Sequence, residues 1–566
     1  MRGEFWIPAA LAASLLAGEA RAGPPPEVTE LALPDRETIT FEALPGTVSY
    51  NLYRGYLRDL SSTFHGTVLE PEWPIGAFLD ETDPAPGEGF FYLVTAMGDG
   101  EGTLGADGQG LPRANPFAWP GFAVAGRWDL PIAWPGVAVH LMLLSDGKVL
   151  SWEGQPAPAQ TWVWDPATGG FTTYTASTNL FCAGHTQLPD GRMFVSGGDT
   201  LFSGHGAITT WTFTPGAATP WVRGPDMRNG RYYPTNTTLA DGTVLIFSGQ
   251  GSDGVINQQV EKYVEESGQP PRLDLLSGAN WYLYAYPQMF LLPNGNVFHA
   301  GPEIYANILD PVTQTWSSTD RPNFLDRING TAVMLPPGYQ RFMIAGGRPT
   351  TEHEAPATDT AEVIDLSQPN AEWTSLPSME FERVYPNSVI LPDGKVLLVG
   401  GGFNDVVPVY PAEMFDPATN SWSMMASQRS FRLYHSTAVL LPDGTVLSSG
   451  SNFNNTAEIY RPGYLFRGPR PIITSPPGSI RYSHNFTVST NLATSITSVV
   501  LLRPGAATHA FNQDQRYVPL SFVVSGGGLR VDAPTNPNVA PPGIYMLFIL
   551  NGQGVPSVAS FVELKP

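Results

Sequence analysis

Short apolar runs alternate with tight polar turns along most of the chain. LLSDGKVLSWEG from Leu143 and LPDGTVLSSG from Leu441 show the unit, in which a turn of the Asp-Gly type separates two apolar runs. Two β-prone runs joined by such a turn predict a β-hairpin. The unit occurs seven times, and its copies begin at Leu143, Leu188, Leu239, Leu292, Leu335, Leu391 and Leu441.

Most copies are followed by a second element with its own turn and often a tryptophan, as in VWDPATGGF, NILDPVTQTW and MFDPATNSW. A repeat of ~50 residues with two hairpins per unit is typical of a β-propeller blade. One hairpin cannot bury both faces of its strands, whereas seven units closed into a ring can, and closure leaves no long free edge. We therefore predict an all-β fold with a seven-bladed, kelch-like β-propeller over residues 121–464.

The segments on either side of the repeats also have a β pattern. Residues 31–112 contain the strand-like runs TITFEAL, SYNLYRG and FFYLVTAM, which predict a small β-sandwich that resembles a fibronectin type III module. A spacer role and a weak carbohydrate-binding role both fit this module. Residues 471–566 contain SVVLLRPG, GIYMLFIL and SVASFVEL and predict an immunoglobulin-like sandwich.

The net charge and the targeting signals limit the possible classes of binding partner and the cellular location. The formal net charge is −21, from 51 acidic and 30 basic residues. Because no basic patch is present, nucleic acid and anionic membranes are poor partners. The apolar run 5–17 and the small residues around Ala22 predict a signal peptide over residues 1–22. No segment reaches the ~20 apolar residues of a membrane span, so we expect a secreted monomer, free or associated with the cell surface.

The seven hairpins define a ring of equivalent positions. Eight residues before the turn Asp or Asn, and near Asn329 in the longer fifth repeat, the chain has Ala138, Cys182, Tyr233, Tyr286, Asn329, Tyr385 and His435. Equivalent positions in a propeller lie at one height around one axis, so these side chains should surround one end of the central channel, where such scaffolds place function. Imidazole and phenolate are good copper ligands. A second histidine is available in His509, in a turn of the last domain, if that turn enters the channel.

Four motifs in this order resemble the copper radical oxidases, the galactose oxidase and glyoxal oxidase family. They are FCAG at Phe181, RYYPTNTTLADG at Arg231, RLYHS at Arg432 and THAFNQDQR at Thr508. The ending GIYMLFILNGQGVPSVAS also resembles the C-terminal domain of that family. The resemblance covers residues 125–563, which excludes the N-terminal module.

The resemblance implies a copper ion bound by Tyr233, Tyr434, His435 and His509. It also implies a thioether between Cys182 and Tyr233, the radical cofactor of the family, which explains a single unpaired cysteine in an exported chain. Tyr434 would act as the general base. The expected reaction is the oxidation of a primary alcohol or aldehyde, small or part of a carbohydrate, with O2 reduced to hydrogen peroxide.

The sequence departs from the family pattern in two places. Gly251 stands where the family has a tryptophan that stacks over the thioether, and Trp281, Tyr232 or Tyr286 are the candidates to cover the site instead. The substrate-binding arginine of the family is also missing, and Tyr282 falls near its place. The substrate therefore cannot be inherited from galactose oxidase.

A second hypothesis is a non-catalytic extracellular propeller that binds carbohydrate and retains the copper site. The lost tryptophan favours it, whereas the five copper and crosslink residues favour the enzyme. Three further expectations concern the surroundings of the site. Tyr286 and Tyr385 line the channel without binding the metal, His185 is structural, and Asp514 pairs with Arg516 to hold the His509 turn.

Overall fold

The computed structural model describes residues 122–154, 158–200, 204–324, 326–352 and 355–566 in full, and the backbone of the strands between Leu31 and Met97. The predicted signal peptide, residues 1–22, lies outside the described residues. The chain divides into two compact units, Met1–Gly121 and Phe122–Pro566. Among the described residues, no helix has the length and apolar character that a membrane crossing requires.

The first unit contains two three-stranded antiparallel sheets. One sheet is formed by Leu31–Ala32, Thr38–Phe41 and Ala77–Leu79, and the other by Thr67–Trp73, Ser49–Tyr56 and Phe90–Met97. The three runs identified in the sequence fall on strands of these sheets. The resemblance to fibronectin type III stays a prediction.

The predicted all-β fold is confirmed, and the second unit begins with the propeller. Each blade is an antiparallel sheet whose first strand lies nearest the channel, because the first strands of neighbouring blades contact one another. Blade 1 contains the strands His140–Leu143, Val149–Trp152, Ala159–Trp164 and Phe171–Ala176. Blade 2 contains Gly184–Gln187, Met193–Ser196, Thr210–Phe213 and Trp221–Arg223. Blade 3 contains Thr235–Thr238, Val244–Phe247, Val260–Val264 and Arg272–Leu276. Blade 4 contains the strands Met289–Leu291, Val297–His299, Asn307–Asp310 and Thr315–Ser318. Blade 5 contains Thr331–Met334, Arg341–Ala345, Ala361–Asp365 and Thr374–Ser375. Blade 6 contains Asn387–Ile390, Val396–Val399, Pro411–Asp416 and Ser421–Ser427.

Blade 7 closes the ring with strands from both ends of the propeller sequence. Its first three strands are Ser436–Leu440, Val446–Gly450 and Thr456–Arg461, and its outer edge is formed by Arg127–Trp128 and Ile132–Ala133. The outer strands precede blade 1 in the sequence, so the sheet hydrogen bonds fasten the start of the ring to its end. Helix Phe122–Ala125 and the 3-10 turns Ser277–Ala279, Gly463–Phe466 and Ala493–Ser495 complete the non-strand elements described in this unit.

The last domain is a sandwich of two sheets around an apolar core. One sheet contains Ile473–Ser475, Asn485–Thr490, Gly528–Asp532 and Phe522–Ser525; the other contains Ser479–Arg481, Ser560–Lys565, Gly543–Asn551, Ile496–Leu502 and Tyr517–Leu520. Fully buried Val488, Leu501 and Leu547 are among the side chains that fill the space between the sheets. This core gives the domain a rigid base from which one hairpin projects.

That hairpin enters the propeller. Strands Ala506–Thr508 and Phe511–Asn512 extend the sheet of blade 1, with Ala507 opposite Leu141. The segment that follows crosses the channel, since Gln515 Oε1 accepts a hydrogen bond from Met334 N of blade 5 (3.0 Å). The expected pairing of Asp514 is wrong: its carboxylate lies 3.3 Å from Arg503, while the Arg516 guanidinium donates to the carbonyl of Leu291 (3.2 Å). Arg503, which lies on the adjacent loop of the same domain, is therefore the partner of the Asp514 carboxylate.

Candidate metal centre

The predicted ring positions share an unusual backbone conformation. Six of the seven have a positive φ, and these are Cys182 (56°), Tyr233 (68°), Tyr286 (48°), Asn329 (61°), Tyr385 (60°) and His435 (69°). The left-handed region is rarely adopted by residues other than glycine and costs energy. Backbone hydrogen bonds connect neighbouring members, because Tyr233 N donates to Cys182 O (3.0 Å) and Tyr286 N donates to Tyr233 O (2.8 Å). The kinks therefore lie at one height, as the spacing predicted.

A buried arginine anchors four of these kinks. Arg231, Arg327 and Arg383 stand two residues before their ring residue, and Arg432 stands three residues before His435. Each pairs with a glutamate of the third strand of its blade: Arg231 with Glu261 (3.0 Å), Arg327 with Glu362 (2.9 Å), Arg383 with Glu413 (2.8 Å) and Arg432 with Glu458 (3.4 Å). These anchors were not predicted from the sequence, although the recurring arginine in RYY, RIN, RVY and RLYH is a signal that could have revealed them.

The structure brings the five predicted site residues into one cluster. Cys182 Sγ lies 3.7 Å from His435 Nε2 and 3.5 Å from His509 Nε2. The hydroxyl oxygens of Tyr233 and Tyr434 are 2.5 Å apart. The ring of Tyr434 stacks on that of His435 with 3.9 Å between centroids, and the ring of Tyr233 meets that of His509 edge-on at 5.0 Å. Residues from blades 2, 3 and 7 and from the inserted hairpin thus converge at one end of the channel.

The hydrogen bonds of both histidines leave their Nε2 atoms as acceptors. His435 Nδ1 lies 2.6 Å from Asn452 Oδ1, which can only accept, so the proton is on Nδ1. His509 Nδ1 lies 2.6 Å from Thr508 Oγ1, and that hydroxyl already donates to Val139 O (2.8 Å). His509 Nδ1 therefore also carries the proton. Both Nε2 lone pairs are available to a metal, and such a hydrogen bond at the opposite nitrogen is usual for ligating histidines.

Burial sets the charge state of the cluster. It lowers the pKa of His435 to about 4 and that of His509 well below the ordinary value, with the nearby His435 adding to the second shift. Burial also raises the pKa of the Tyr233 and Tyr434 hydroxyls well above the usual value, and the Cys182 sulfur adds to both shifts. The imidazoles are thus in their ligating form, while a bound cation would favour the phenolates. Two imidazole nitrogens and two phenol oxygens form a donor set that suits copper.

A cavity of about 340 Å³ opens beside the cluster and is lined in part by Tyr233, Tyr434 and His509. Arg348 also lines the cavity, and its guanidinium lies 2.8 Å from the Asp405 carboxylate and 2.7 Å from the Tyr385 hydroxyl. Arg348 and Asp405 were not predicted from the sequence, because both lie in loops that share no pattern between repeats. A substrate in this cavity would be in a space lined by the two tyrosines and by Arg348.

The residues expected around the cluster are placed as follows. The rings of Tyr232 and Tyr286 contact that of Tyr233, with centroids 4.2 and 5.0 Å apart. Trp281 packs instead on Trp316 (5.9 Å) and is 42% exposed. A Cβ at Gly251 would lie 2.7 Å from the Asp253 carboxylate, so no larger side chain fits without local movement.

Two other expected residues, His185 and Tyr282, differ in exposure. His185 is fully buried and packs edge-on against Trp152 (5.3 Å). Tyr282 is 56% exposed.

Comparisons with known proteins agree with this geometry. A family model described as Glyoxal oxidase N-terminus matches residues 157–464, and one described as Galactose oxidase-like, Early set domain matches residues 470–564. Galactose oxidase of Gibberella zeae is 30% identical over 492 residues, which cover 78% of this chain and 70% of that protein. Aldehyde oxidase GLOX of Vitis pseudoreticulata is 29% identical over 445 residues, which cover 69% of this chain and 82% of that protein.

A solved structure adds the metal to this comparison. A fungal alcohol oxidase in complex with copper superimposes with a TM-score of 0.71 at 26% identity, over 78% of this chain and 100% of that one. The resemblance inferred from the motifs is confirmed on both domains of the second unit. This chain therefore belongs to the galactose oxidase and glyoxal oxidase family of copper oxidases.

Proposed function

We propose that this chain is a secreted copper radical oxidase that oxidises a primary alcohol or an aldehyde and reduces O2 to hydrogen peroxide. One observation carries the proposal: Cys182, two tyrosine hydroxyls and two unprotonated Nε2 atoms converge from four parts of the fold. An apolar core would not place five such groups together, because each buried polar atom without a partner is costly. The cluster is therefore built to hold a ligand.

Tyr233, Tyr434, His435 and His509 would hold the copper ion. Copper, when bound, supplies a one-electron redox centre and increases the acidity of a substrate hydroxyl. Asn452 and Thr508 fix the orientation of the two imidazoles, so the ligand geometry is prepared before the metal arrives. The cavity gives a small molecule access to the same atoms.

The two tyrosines would have different roles. Oxidation of an alcohol to an aldehyde removes two electrons and two protons, which is one electron more than copper alone can accept. Tyr233, joined to Cys182 by a thioether, would accept the second electron as a phenoxyl radical. Tyr434 would take the hydroxyl proton as general base. Transfer of both electrons and both protons to O2 then forms one molecule of H2O2 and restores the enzyme.

The cavity sets limits on the substrate. Its volume of about 340 Å³ is at the lower end of the ~300–1,000 Å³ usual for small-molecule sites. The arginine in its wall is paired with the Asp405 carboxylate. A neutral alcohol or aldehyde of modest size, or one sugar unit of a carbohydrate, fits these features.

Peptide mass mapping of copper-loaded, aerobically matured protein tests the proposal. We expect the Cys182 and Tyr233 peptides to be joined, with the loss of two hydrogens and resistance to thiol reductants. The same preparation should release peroxide with members of a panel of alcohols and aldehydes. Cys182→Ser is the control and should give separate peptides. Copper-bound protein with a free Cys182 thiol and no peroxide would contradict the proposal and favour a binding protein.

A further inference from the structure

Three tyrosine hydroxyls form a chain at the metal centre, and the outermost belongs to Tyr232. The Tyr232 hydroxyl donates a hydrogen bond to the Tyr233 oxygen (3.3 Å), which lies 2.5 Å from the Tyr434 oxygen. Consecutive residues of extended chain normally point to opposite faces. Here the left-handed φ of 68° at Tyr233 turns both rings to the same side. Tyr232 thus contacts the same oxygen that would bind the metal.

The backbone and neighbouring rings hold Tyr232 in this position. Its N–H donates to Gln250 O (2.8 Å), and Gln250 N donates to Tyr232 O (2.7 Å). The Tyr232 ring lies 4.2 Å from that of Tyr233 at 67° and 6.2 Å from that of Phe181, the residue before Cys182. Phe181, Tyr232 and Tyr233 thus pack together against the buried Cys182 side chain. Tyr232 and Tyr233 are both partly exposed, and the Tyr232 ring covers one side of the Tyr233 ring.

We propose that Tyr232 is a positioning residue that tunes the redox behaviour of Tyr233, an inference that rests on the proposed function. Its hydroxyl and its ring have opposite effects. A hydrogen bond to a charged acceptor is stronger than one to a neutral acceptor, so the hydroxyl stabilises the Tyr233 phenolate more than the phenoxyl radical. The ring excludes water and reductants from the radical once it has formed.

Two substitutions separate these effects. Tyr232→Phe removes the hydroxyl and keeps the ring, whereas Tyr232→Leu removes both the hydroxyl and the aromatic ring. The matched control is Tyr263→Phe, in the same blade, because the Tyr263 hydroxyl bonds to Glu265, away from the metal centre. All are made in the full chain and loaded with copper.

The test oxidises each protein with ferricyanide and follows the radical by its absorbance and electron paramagnetic resonance. One electron passes from the Tyr233 phenolate to ferricyanide, which becomes ferrocyanide, and no proton moves. At a fixed ferricyanide to ferrocyanide ratio, Tyr232→Phe should raise the ratio of radical to reduced protein about fivefold to tenfold, which corresponds to the difference between a charge-assisted and a neutral hydrogen bond. Tyr232→Leu should shorten the radical half-life after removal of the oxidant on the order of tenfold, because water and reductants then reach the Tyr233 ring more easily. Tyr263→Phe should match the wild type in both measurements.

The outcomes distinguish this inference from the proposed function. If wild-type protein forms the crosslink but Tyr232→Phe keeps the wild-type radical ratio and Tyr232→Leu keeps the wild-type half-life, the inference is wrong and the proposed function stands. If Tyr232→Leu does not fold, Tyr232→Phe alone decides the matter. A wild-type protein without crosslink or radical would overturn both.

Discussion

The two sides of the propeller channel use the same backbone for different chemistry. On one side, Cys182, Tyr233 and His435 stand just before the inner strands of blades 2, 3 and 7. On the other, Asn329 and Tyr385 stand just before those of blades 5 and 6. All five have a left-handed φ between 56° and 69°. Buried arginines precede members of both groups. The repeat thus supplies position and rigidity, and the identity of one side chain per blade decides whether that position has redox chemistry.

The two sides also differ in charge. The redox side contains neutral groups, because burial lowers the pKa of His435 and raises that of the tyrosine hydroxyls. The side formed by blades 5 and 6 contains an ion pair between Arg348 and Asp405. A metal ion bound on the redox side would be the principal charge there. The electrostatics of the redox side therefore depend more on a bound ion than those of the side that contains the ion pair.

Substituting equivalent ring positions on the two sides should give very different activities. Cys182→Ser removes the thioether and should lower kcat on the order of 10³-fold or more, as the loss of a central catalytic group does. Asn329→Ser changes the opposite side and should keep the crosslink and the copper. Peptide mapping and peroxide release measure both variants. Near wild-type activity in Cys182→Ser would show that the crosslink is not needed for turnover.

Removing an arginine anchor should destabilise either side but affect the metal centre on one side only. Arg231→Met leaves Glu261 buried without its partner, and Arg383→Met does the same to Glu413. Breaking a buried pair in this way costs about 3–5 kcal/mol, so urea should unfold both variants at lower concentration than the wild type. Only Arg231→Met, two residues from Tyr233, should also weaken copper binding by the folded protein, measured at urea concentrations below the unfolding transition. Equal copper affinity in both variants would mean that the anchors support the fold alone.

The repeat explains which features could be predicted from the sequence. Because the turn motif fixes the register of each hairpin, counting back from the turn found Cys182, Tyr233 and His435 without any structure. Asn452 and Thr508, which orient the imidazoles, stand outside that register, and so do Arg348 and Asp405. Asn452, Arg348 and Asp405 lie in loops outside the repeated strands, and Thr508 lies on the hairpin that the last domain inserts. Tyr232 was one of three candidates, and only the left-handed turn at Tyr233 shows why it meets its neighbour.

The buried histidines of the redox side should make the fold sensitive to acid. Burial lowers the pKa of His185 to about 3, against about 6.5 in an unfolded chain. Between these values the unfolded state binds more protons, so the contribution of His185 to stability is complete above pH 6.5 and is lost as the pH falls toward 3. His185→Leu should reduce the slope of unfolding free energy against pH by up to about 1.4 kcal/mol per pH unit.

Urea unfolding at pH 4.5, 5.5 and 7 measures that slope. His484→Gln is the control, because His484 is exposed on the C-terminal sandwich. It should leave the slope as in the wild type. An unchanged slope in His185→Leu would place the acid sensitivity in other groups of the same cluster.

The cost of the left-handed kink itself can be measured at Asn329, where no metal chemistry interferes. A β-branched residue at φ 61° is strained by roughly 1–2 kcal/mol, so Asn329→Val should lower the unfolding free energy by about that amount, while Asn329→Gly should be close to neutral. Asn420→Val has nearly the same backbone angle (54°) in an exposed turn and controls for strain alone. Asn329 O also accepts the hydrogen bond of Tyr385 N (2.7 Å). If Asn329→Val lowers the unfolding free energy more than Asn420→Val does, the excess measures the coupling between neighbouring blades. If Asn329→Val lowers it less, the ring relaxes around the kink, and the two sides of the channel are not rigidly joined.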